Sequence, residues 1–286
     1  MDRVYLNGEI VARDAARVSV FDRGFVFGDG VYEVIPAYGG RLFRLPHHLE
    51  RLQQSLDGVR IANPHSYKEW CDIFTELTAQ RGAADQYIYL QVTRGVAPRD
   101  HAFPKDTKPT VFAFAQSIAY PDAALLARGV DAITVPDIRW QRCDIKAIAL
   151  LPNVLMRQQA VEHGAVEAIL VRDGIVTEGA ASNIFIVRGG RIVTAPKGPF
   201  ILPGITRDLI LELARAHGVA YAEDKITPAQ LFAAEEVWMT SSTKEILPVV
   251  RIDGQTIGAG RPGAVHAKMY ALLHDYKQAF RLGTVQ

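Results

Sequence analysis

Four glycine-bearing turns constrain this chain more than any other feature, because each lies between two short runs of strand-forming residues. Asn7-Gly8 separates Val4-Tyr5-Leu6 from Ile10-Val11, and Gly39-Gly40 separates the run 31–35 from Leu42-Phe43. Asp173-Gly174 and Gly189-Gly190 punctuate a later series of runs at 168–172, 175–178, 183–187 and 191–194. Two-residue turns of this chemistry join antiparallel strands. Both halves of the chain must therefore contain antiparallel sheet, and the later series reads as a β meander. Helical periods lie between these runs. Leu49, Leu52, Leu56 and Val59 recur every three or four residues, and further helices are expected over 67–81, 152–164, 206–217 and 265–280. The runs 87–93, 110–116, 130–135 and 237–240 read as strands.

The segment Ser117-Ile118-Ala119-Tyr120-Pro121-Asp122 has turn-forming residues between a strand and a new pattern, which marks a boundary. The expectation is an α+β protein of two domains, a smaller one over 1–119 and a larger one over 120–286, with a ligand cleft between them. A length of 286 residues supports that division. With 49% hydrophobic and 22% charged residues, the composition excludes a disordered or low-complexity chain. Thirty-two basic and 31 acidic side chains give a net charge of +1, so neither nucleic acid nor a membrane is expected as a partner. Any anion must be held by local chemistry, and no metal is expected. Two cysteines, Cys71 and Cys143, fit a reducing compartment. The opening Met1-Asp2-Arg3-Val4-Tyr5-Leu6-Asn7-Gly8-Glu9 has no apolar signal core, and no apolar run reaches the ~18–20 residues of a span. A soluble, cytoplasmic protein is expected.

Four features carry possible chemistry, each with a plainer alternative. Lys146 lies in Arg142-Cys143-Asp144-Ile145-Lys146-Ala147-Ile148, and a lysine amine can form a Schiff base with a carbonyl; the alternative is a lysine extended to solvent. Glu178 ends a strand before Gly179-Ala180-Ala181-Ser182, where small residues permit close approach, and a buried acid there would need a cationic partner. Taken alone, it reads first as a turn acid capping the hairpin. Leu202-Pro203-Gly204-Ile205-Thr206-Arg207-Asp208 opens a helix whose free N–H groups suit a phosphate, or which Thr206 simply caps. Thr240-Ser241-Ser242-Thr243 could add hydroxyls to the same anion, or form an ordinary Ser/Thr-rich loop. Arg99-Asp100-His101, stiffened by Pro98 and Pro104, suits a carboxylate grip or an ordinary solvated loop. Together these are what a pyridoxal phosphate site requires.

The chain also resembles the fold-type IV (class IV) pyridoxal-phosphate aminotransferases along nearly its whole length. The resemblance rests on the stretch from Phe21 through Phe27-Gly28-Asp29-Gly30-Val31-Tyr32-Glu33-Val34, and on His48-Leu49-Glu50-Arg51-Leu52. Arg142 to Lys146, Thr177-Glu178-Gly179, Gly204-Ile205-Thr206-Arg207 and Ser241-Ser242-Thr243 then follow in the family's order. Arg99-x-His101 is similar to the D-amino-acid branch. The resemblance implies a smaller α/β sandwich followed by a larger β-barrel-like domain with helices, and pyridoxal 5'-phosphate as cofactor. It implies that Lys146 anchors the cofactor and serves as base and acid, and that Glu178 meets the ring nitrogen. Arg51, Ile205, Thr206, Ser241 and Ser242 would hold the phosphate. Tyr32, Arg99, His101 and Thr243 would receive the substrate carboxylate, the loop of Arg99 and His101 reaching into a partner subunit of a homodimer. The reaction implied is ping-pong exchange between a D-amino acid (D-alanine, D-glutamate) and a 2-oxo acid (2-oxoglutarate, pyruvate). R-selective amine or branched-chain aminotransferases, an aminodeoxychorismate-type lyase and a non-catalytic ligand-binding protein remain as alternatives. Arg139, Trp140 and Cys143 also resemble the branch without a physical role.

Overall fold

Positive backbone φ appears where the turns require it. Asn7 and Gly8 take 50° and 102°, Gly39 and Gly40 take 60° and 79°, and Asp173 and Gly174 take 50° and 73°. The computed structural model describes residues 3–285; Met1 and Asp2, which begin the opening segment without an apolar signal core, and Gln286 lie outside them. The chain forms two compact units. One takes the chain up to Ile118, together with Ile145–Ala149 and the chain from Ala279 onward; the other takes Ala119–Asp144 and Leu150–Gln278.

The first unit is built on β1 (Arg3–Leu6), β2 (Glu9–Ala12), β3 (Gly30–Tyr38), β4 (Arg41–Leu42), β5 (Gln86–Thr93) and β6 (Thr110–Ser117). They form a six-stranded sheet in the order β2-β1-β6-β5-β3-β4, antiparallel throughout. A short helix α1 (Arg23–Phe27), unsignalled by any period, precedes β3. Helices α2 (Leu45–Val59) and α3 (Tyr67–Ala79) pack against the sheet, α3 ending two residues before its expected terminus. Leu49, Leu52 and Leu56 of α2 and Trp70, Phe74 and Leu77 of α3 join Val31, Ile35, Ile88, Leu90 and Val92 in one core. Strand alternation sends Val31, Glu33 and Ile35 to this helix side, and Tyr32 to the other. An acid is thus carried into an apolar layer.

The second unit contains α4 (Ala123–Arg128), β7 (Val130–Pro136), α5 (Leu151–Glu162), β8 (Glu167–Arg172), β9 (Ile175–Gly179), β10 (Asn183–Arg188) and β11 (Arg191–Thr194). It continues with α6 (Ile205–Ala216), β12 (Tyr221–Glu223), α7 (Pro228–Phe232), β13 (Glu236–Ser241), β14 (Glu245–Ile252), β15 (Gln255–Thr256) and α8 (Ala264–Arg281), whose last residues fall in the first unit. The sheet runs β12-β11-β10-β13-β14-β7-β8-β9, with β15 on β14. The expected meander is corrected at one joint: β9 pairs with β8 and β10 with β11, but β9 does not pair with β10. Both edges of β10 are taken, by β11 and by β13, whose Thr240 lies opposite Asn183. A short link nevertheless joins β10 to β9 at the far end of the strand order, with Gly179 N donating to Ser182 O at 2.7 Å. So short a link requires the sheet to curl on itself. Strand β14 was unsignalled because Pro248 argues against a central strand. Pro248 lies opposite Trp238 in the ladder with β13, and the ladder with β7 begins one residue later, at Val249. The architecture is the expected α+β, and no helix among the described residues is long and apolar enough to cross a membrane.

Candidate active site

Lys146 is positioned by strand chemistry. The segment Ile145–Ala149 lies along the start of β3: Val31 bridges Ala147 antiparallel, Tyr32 N donates to Lys146 O at 2.9 Å, and Ile148 N donates to Gly30 O at 3.1 Å. Alternation along this segment sends Ile145 and Ala147 into the helix-side core and Lys146 the other way. Its Nζ lies 4.2 Å from the centroid of the Tyr32 ring, which stacks on Tyr89 at 5.8 Å. Among the described residues, no carboxylate pairs with this amine. Gly30 makes the arrangement possible, since a Cβ there would meet Val92 O at 2.6 Å. The adjacent Asp29 takes hydrogen bonds from Arg23 Nε at 2.8 Å and from Arg94 Nε at 2.7 Å, tying α1 to the end of β5.

On the helix side of β3, His48, Arg51 and Ser55 share one face of α2. Arg51 holds Glu33 with a fork, Nε to Oε1 at 2.7 Å and Nη2 to Oε2 at 2.8 Å, and His48 Nδ1 donates to Oε2 at 2.8 Å. Ser55 Oγ accepts from Lys146 N at 3.1 Å, so α2 also fixes the lysine backbone. Glu33, His48 and Arg51 are all buried. Burial pushes the Glu33 carboxyl up, but the Arg51 guanidinium and His48 outweigh it and hold the group well below the carboxylate range. Burial pushes the His48 imidazole down. Arg51 was expected from its motif as a cation for the phosphate, and the structure places its guanidinium on Glu33; Glu33 and His48 were present in the same motifs but carried no signal of their own.

Arg99 and His101 lie in an exposed loop of the first unit. Both face Phe27: the Arg99 guanidinium is 5.3 Å from its ring centroid, and the His101 ring 5.4 Å. Arg23 Nη1 donates to the carbonyl of Asp100 and holds the loop between them. Among the described residues no hydrogen bond, ion pair or ring contact joins either side chain to Tyr32 or Lys146, so this chain does not bring its expected carboxylate grip to its own amine.

In the second unit, Glu178 is buried at the end of β9. Arg139 Nη1 donates to its Oε1, while Asn183 Nδ2 and Leu202 N each donate to Oε2 at 3.0 Å. Arg139 also forks onto Asp137, Nε to Oδ1 and Nη2 to Oδ2, both at 2.9 Å, and Arg172 pairs with the same acid at 3.1 Å. Glu178 is therefore a held acid rather than a turn cap. Burial pushes its carboxyl up to about 7, against the pull of Arg139. Arg139, without a role in the sequence, clamps this acid from 39 positions away. Cys143 Sγ donates to Trp140 O at 3.3 Å, and burial pushes its thiol up.

The same end of β10 leads to the anion donors. Asn183 Nδ2 also donates to Leu202 O at 3.0 Å, and a Cβ on Gly204 would meet Asn183 Oδ1 at 2.0 Å. Gly204 is the N-cap of α6 and provides no side-chain cap. Thr206 therefore does not cap; it lies inside the first turn, where the free N–H groups of Ile205, Thr206 and Arg207 gather positive potential. Across the ladder from Asn183, Thr240 Oγ1 is buried without a partner. Beyond Ser241, whose Oγ accepts from Lys244 N at 3.2 Å, the side chains of Ser242 and Thr243 engage no other group among the described residues.

The fold is that of a group of amino acid aminotransferases. The branched-chain amino acid aminotransferase of Escherichia coli superimposes with a TM-score of 0.89 at 29% identity, over 96% of this chain and 94% of that one. The branched-chain enzyme of Thermoproteus uzoniensis with norvaline gives 0.84 at 28% identity, over 99% and 95%. A further branched-chain enzyme, solved with pyridoxamine 5'-phosphate and designated T.th., gives 0.90 at 27% identity, over 97% and 94%. This is the fold of the fold-type IV, pyridoxal-phosphate-dependent class. Residues 30–252 match the family Amino-transferase class IV, and the chain belongs to it. It is 42% identical to a D-alanine aminotransferase of Staphylococcus haemolyticus over 96% of this chain and 98% of the relative. A D-alanine aminotransferase of Bacillus licheniformis is 43% identical over 96% of each. The chain is thus a transferase whose cofactor is pyridoxal 5'-phosphate, acting on amino acids and 2-oxo acids. Its donors fit that cofactor: an amine without an acid partner, an uncapped helix start, unengaged hydroxyls and an orphaned buried Thr240 oxygen.

Proposed function

We propose that this enzyme transfers the amino group of a D-amino acid, D-alanine foremost, to 2-oxoglutarate or pyruvate, with Lys146 as its reactive amine. The observation that carries the substrate reading is the 42% identity, over 96% of the chain, to a D-alanine aminotransferase. Lys146 Nζ, set over the Tyr32 ring, would anchor the cofactor in the absence of substrate and, once free as an amine, would take the proton from the substrate Cα. When bound, pyridoxal phosphate supplies the electron sink that stabilises negative charge at that carbon. Glu178, held by Arg139, Asn183 and Leu202 N, presents an acid to the ring nitrogen. The α6 N-terminus at Ile205 and Thr206, together with Ser241 and Ser242, holds the phosphate, with Arg51 as a further cation for it. Tyr32, Thr243, Arg99 and His101 receive the substrate carboxylate.

The last two residues support assembly as a homodimer with composite sites, because they are exposed and, among the described residues, their ring and cation–π partner is Phe27. Exposed Leu151, Val154 and Leu155 on α5, with Phe21 and Phe25, support a second copy as the cover. Two unbridged cysteines support a cytoplasmic location. Comparing D-alanine, L-alanine and L-leucine as donors to 2-oxoglutarate tests the assignment. Preference for D-alanine is expected; preference for either L-amino acid transfers the enzyme to the branched-chain side of the family.

A further inference from the structure

The connection that carries Ser242 and Thr243 closes on a residue with the wrong side chain for its backbone. Glu245, the first residue of β14, has φ of +59°, in the left-handed region that short hairpin connections usually assign to glycine. A residue with a Cβ keeps this conformation only where its surroundings impose it. The surroundings here are ionic. Glu245 is buried, with Oε1 accepting from Lys277 Nζ and Oε2 from His274 Nε2 at 3.1 Å, both on α8. Lys277 is itself buried and also donates to Tyr120 Oη at 3.3 Å, with its Nζ 4.8 Å from the Tyr120 ring centroid. Tyr270, one turn before His274, packs against that imidazole at 4.3 Å between centroids.

We infer that Glu245 and Lys277 are positioning residues for the phosphate: their ion pair anchors the Ser241–Glu245 hairpin to α8 and holds the Ser241 and Ser242 hydroxyls in place for the anion. The inference rests on the assignment of this turn to the cofactor phosphate. A pair that merely glued α8 to the sheet would have no reason to discriminate a phosphorylated ligand from an unphosphorylated one. Glu245→Gln keeps the side chain's shape and removes its charge, leaving the turn without its ionic anchor.

The test compares equilibrium binding of pyridoxal 5'-phosphate and of pyridoxal to the resolved enzyme, followed by absorbance, for wild type, Glu245→Gln, Lys277→Met and Ser242→Ala. Glu245→Gln and Lys277→Met should weaken the phosphorylated ligand by about tenfold or more, the scale of a charge-assisted hydrogen bond, and pyridoxal by less than about threefold. Inorganic phosphate should raise the melting temperature of the wild-type apoprotein and lose that effect in both variants. His274→Ala, which leaves the Lys277 contact intact, should show the same selectivity with a smaller ratio and serves where the ion-pair variants fail to fold. Equal losses for both ligands, or none, overturn the inference. Selective loss in Ser242→Ala alone leaves the turn as the phosphate site and removes the role of Glu245; no selectivity in any variant removes the phosphate assignment itself.

Discussion

Replacing Arg139 by Met would strand an acid in the second unit, and the structure indicates which one. Asp137 would keep Arg172 at 3.1 Å and the Thr177 hydroxyl at 3.1 Å. Glu178 would keep only two neutral donors, Asn183 Nδ2 and Leu202 N. Breaking a buried ion pair costs about 3–5 kcal/mol, and at roughly 2 °C per kcal/mol for a protein of this size the melting temperature should fall by roughly 6–10 °C. The loss has a pH signature. Glu178 already titrates at about 7 in the folded protein because of burial, against an ordinary value of 4.5, and without Arg139 it must go higher. A folded acid that keeps its proton longer than the unfolded one loses stability as pH rises from the unfolded value through the folded one. The gap between wild type and variant should therefore be small near pH 5 and full near pH 9. Thermal unfolding of the apoprotein across that range is the assay, and activity at pH 8 should fall through kcat, since a neutral Glu178 is no anionic partner. Arg139→Lys should recover part of the loss, as one ammonium cannot fork across two acids. A variant that melts within a degree or two of wild type at every pH would refute the clamp.

Further outcomes follow from the same geometry. Lys146→Ala should lose the cofactor's protein-bound absorbance and more than ~10²-fold of rate, and borohydride should label Lys146 in the wild type; a label on another lysine contradicts the anchor. Arg99→Ala should cost D-alanine roughly 10–10²-fold in kcat/KM while sparing any turnover of an R-amine, which has no carboxylate to grip. Mixing Arg99→Ala with Lys146→Ala subunits should restore part of the activity, because one of the two composite sites then has both residues; mixed dimers without rescue exclude a shared site. Leu52→Ala, in the core between α2 and the sheet, should destabilise by about 2–5 kcal/mol without changing the donor preference, read from thermal unfolding and kinetics.

What was legible in the sequence was what is local. Glycine turns and leucine periods placed the hairpins of the first unit and the helices α2, α3 and α6 to within a few residues, because both signals are written in neighbouring positions. The pairing of β10 with β13 was not legible, since nothing between 183 and 187 says which strand will cover its second edge. Strand β14 was hidden by Pro248, which the sheet accommodates opposite Trp238 of β13, one residue before the ladder with β7 starts. The candidate site divides similarly. Lys146, Glu178 and the Gly204–Thr206 helix start could be named from their motifs, whereas Arg139 gains meaning only when folding brings it to Glu178. Glu33 had no signal as a partner for Arg51, because an acid at a core position in a strand is explained only by the helix above it.

The handedness of the amino acid made separates a D-amino-acid transaminase from the branched-chain side of the family. The most direct measurement is to incubate the purified enzyme with D-alanine and 2-oxoglutarate and to resolve the glutamate formed on a chiral column. D-glutamate, with pyruvate in equal amount and none of either from Lys146→Ala, is the predicted result. L-glutamate, or pyruvate released without glutamate, would contradict it.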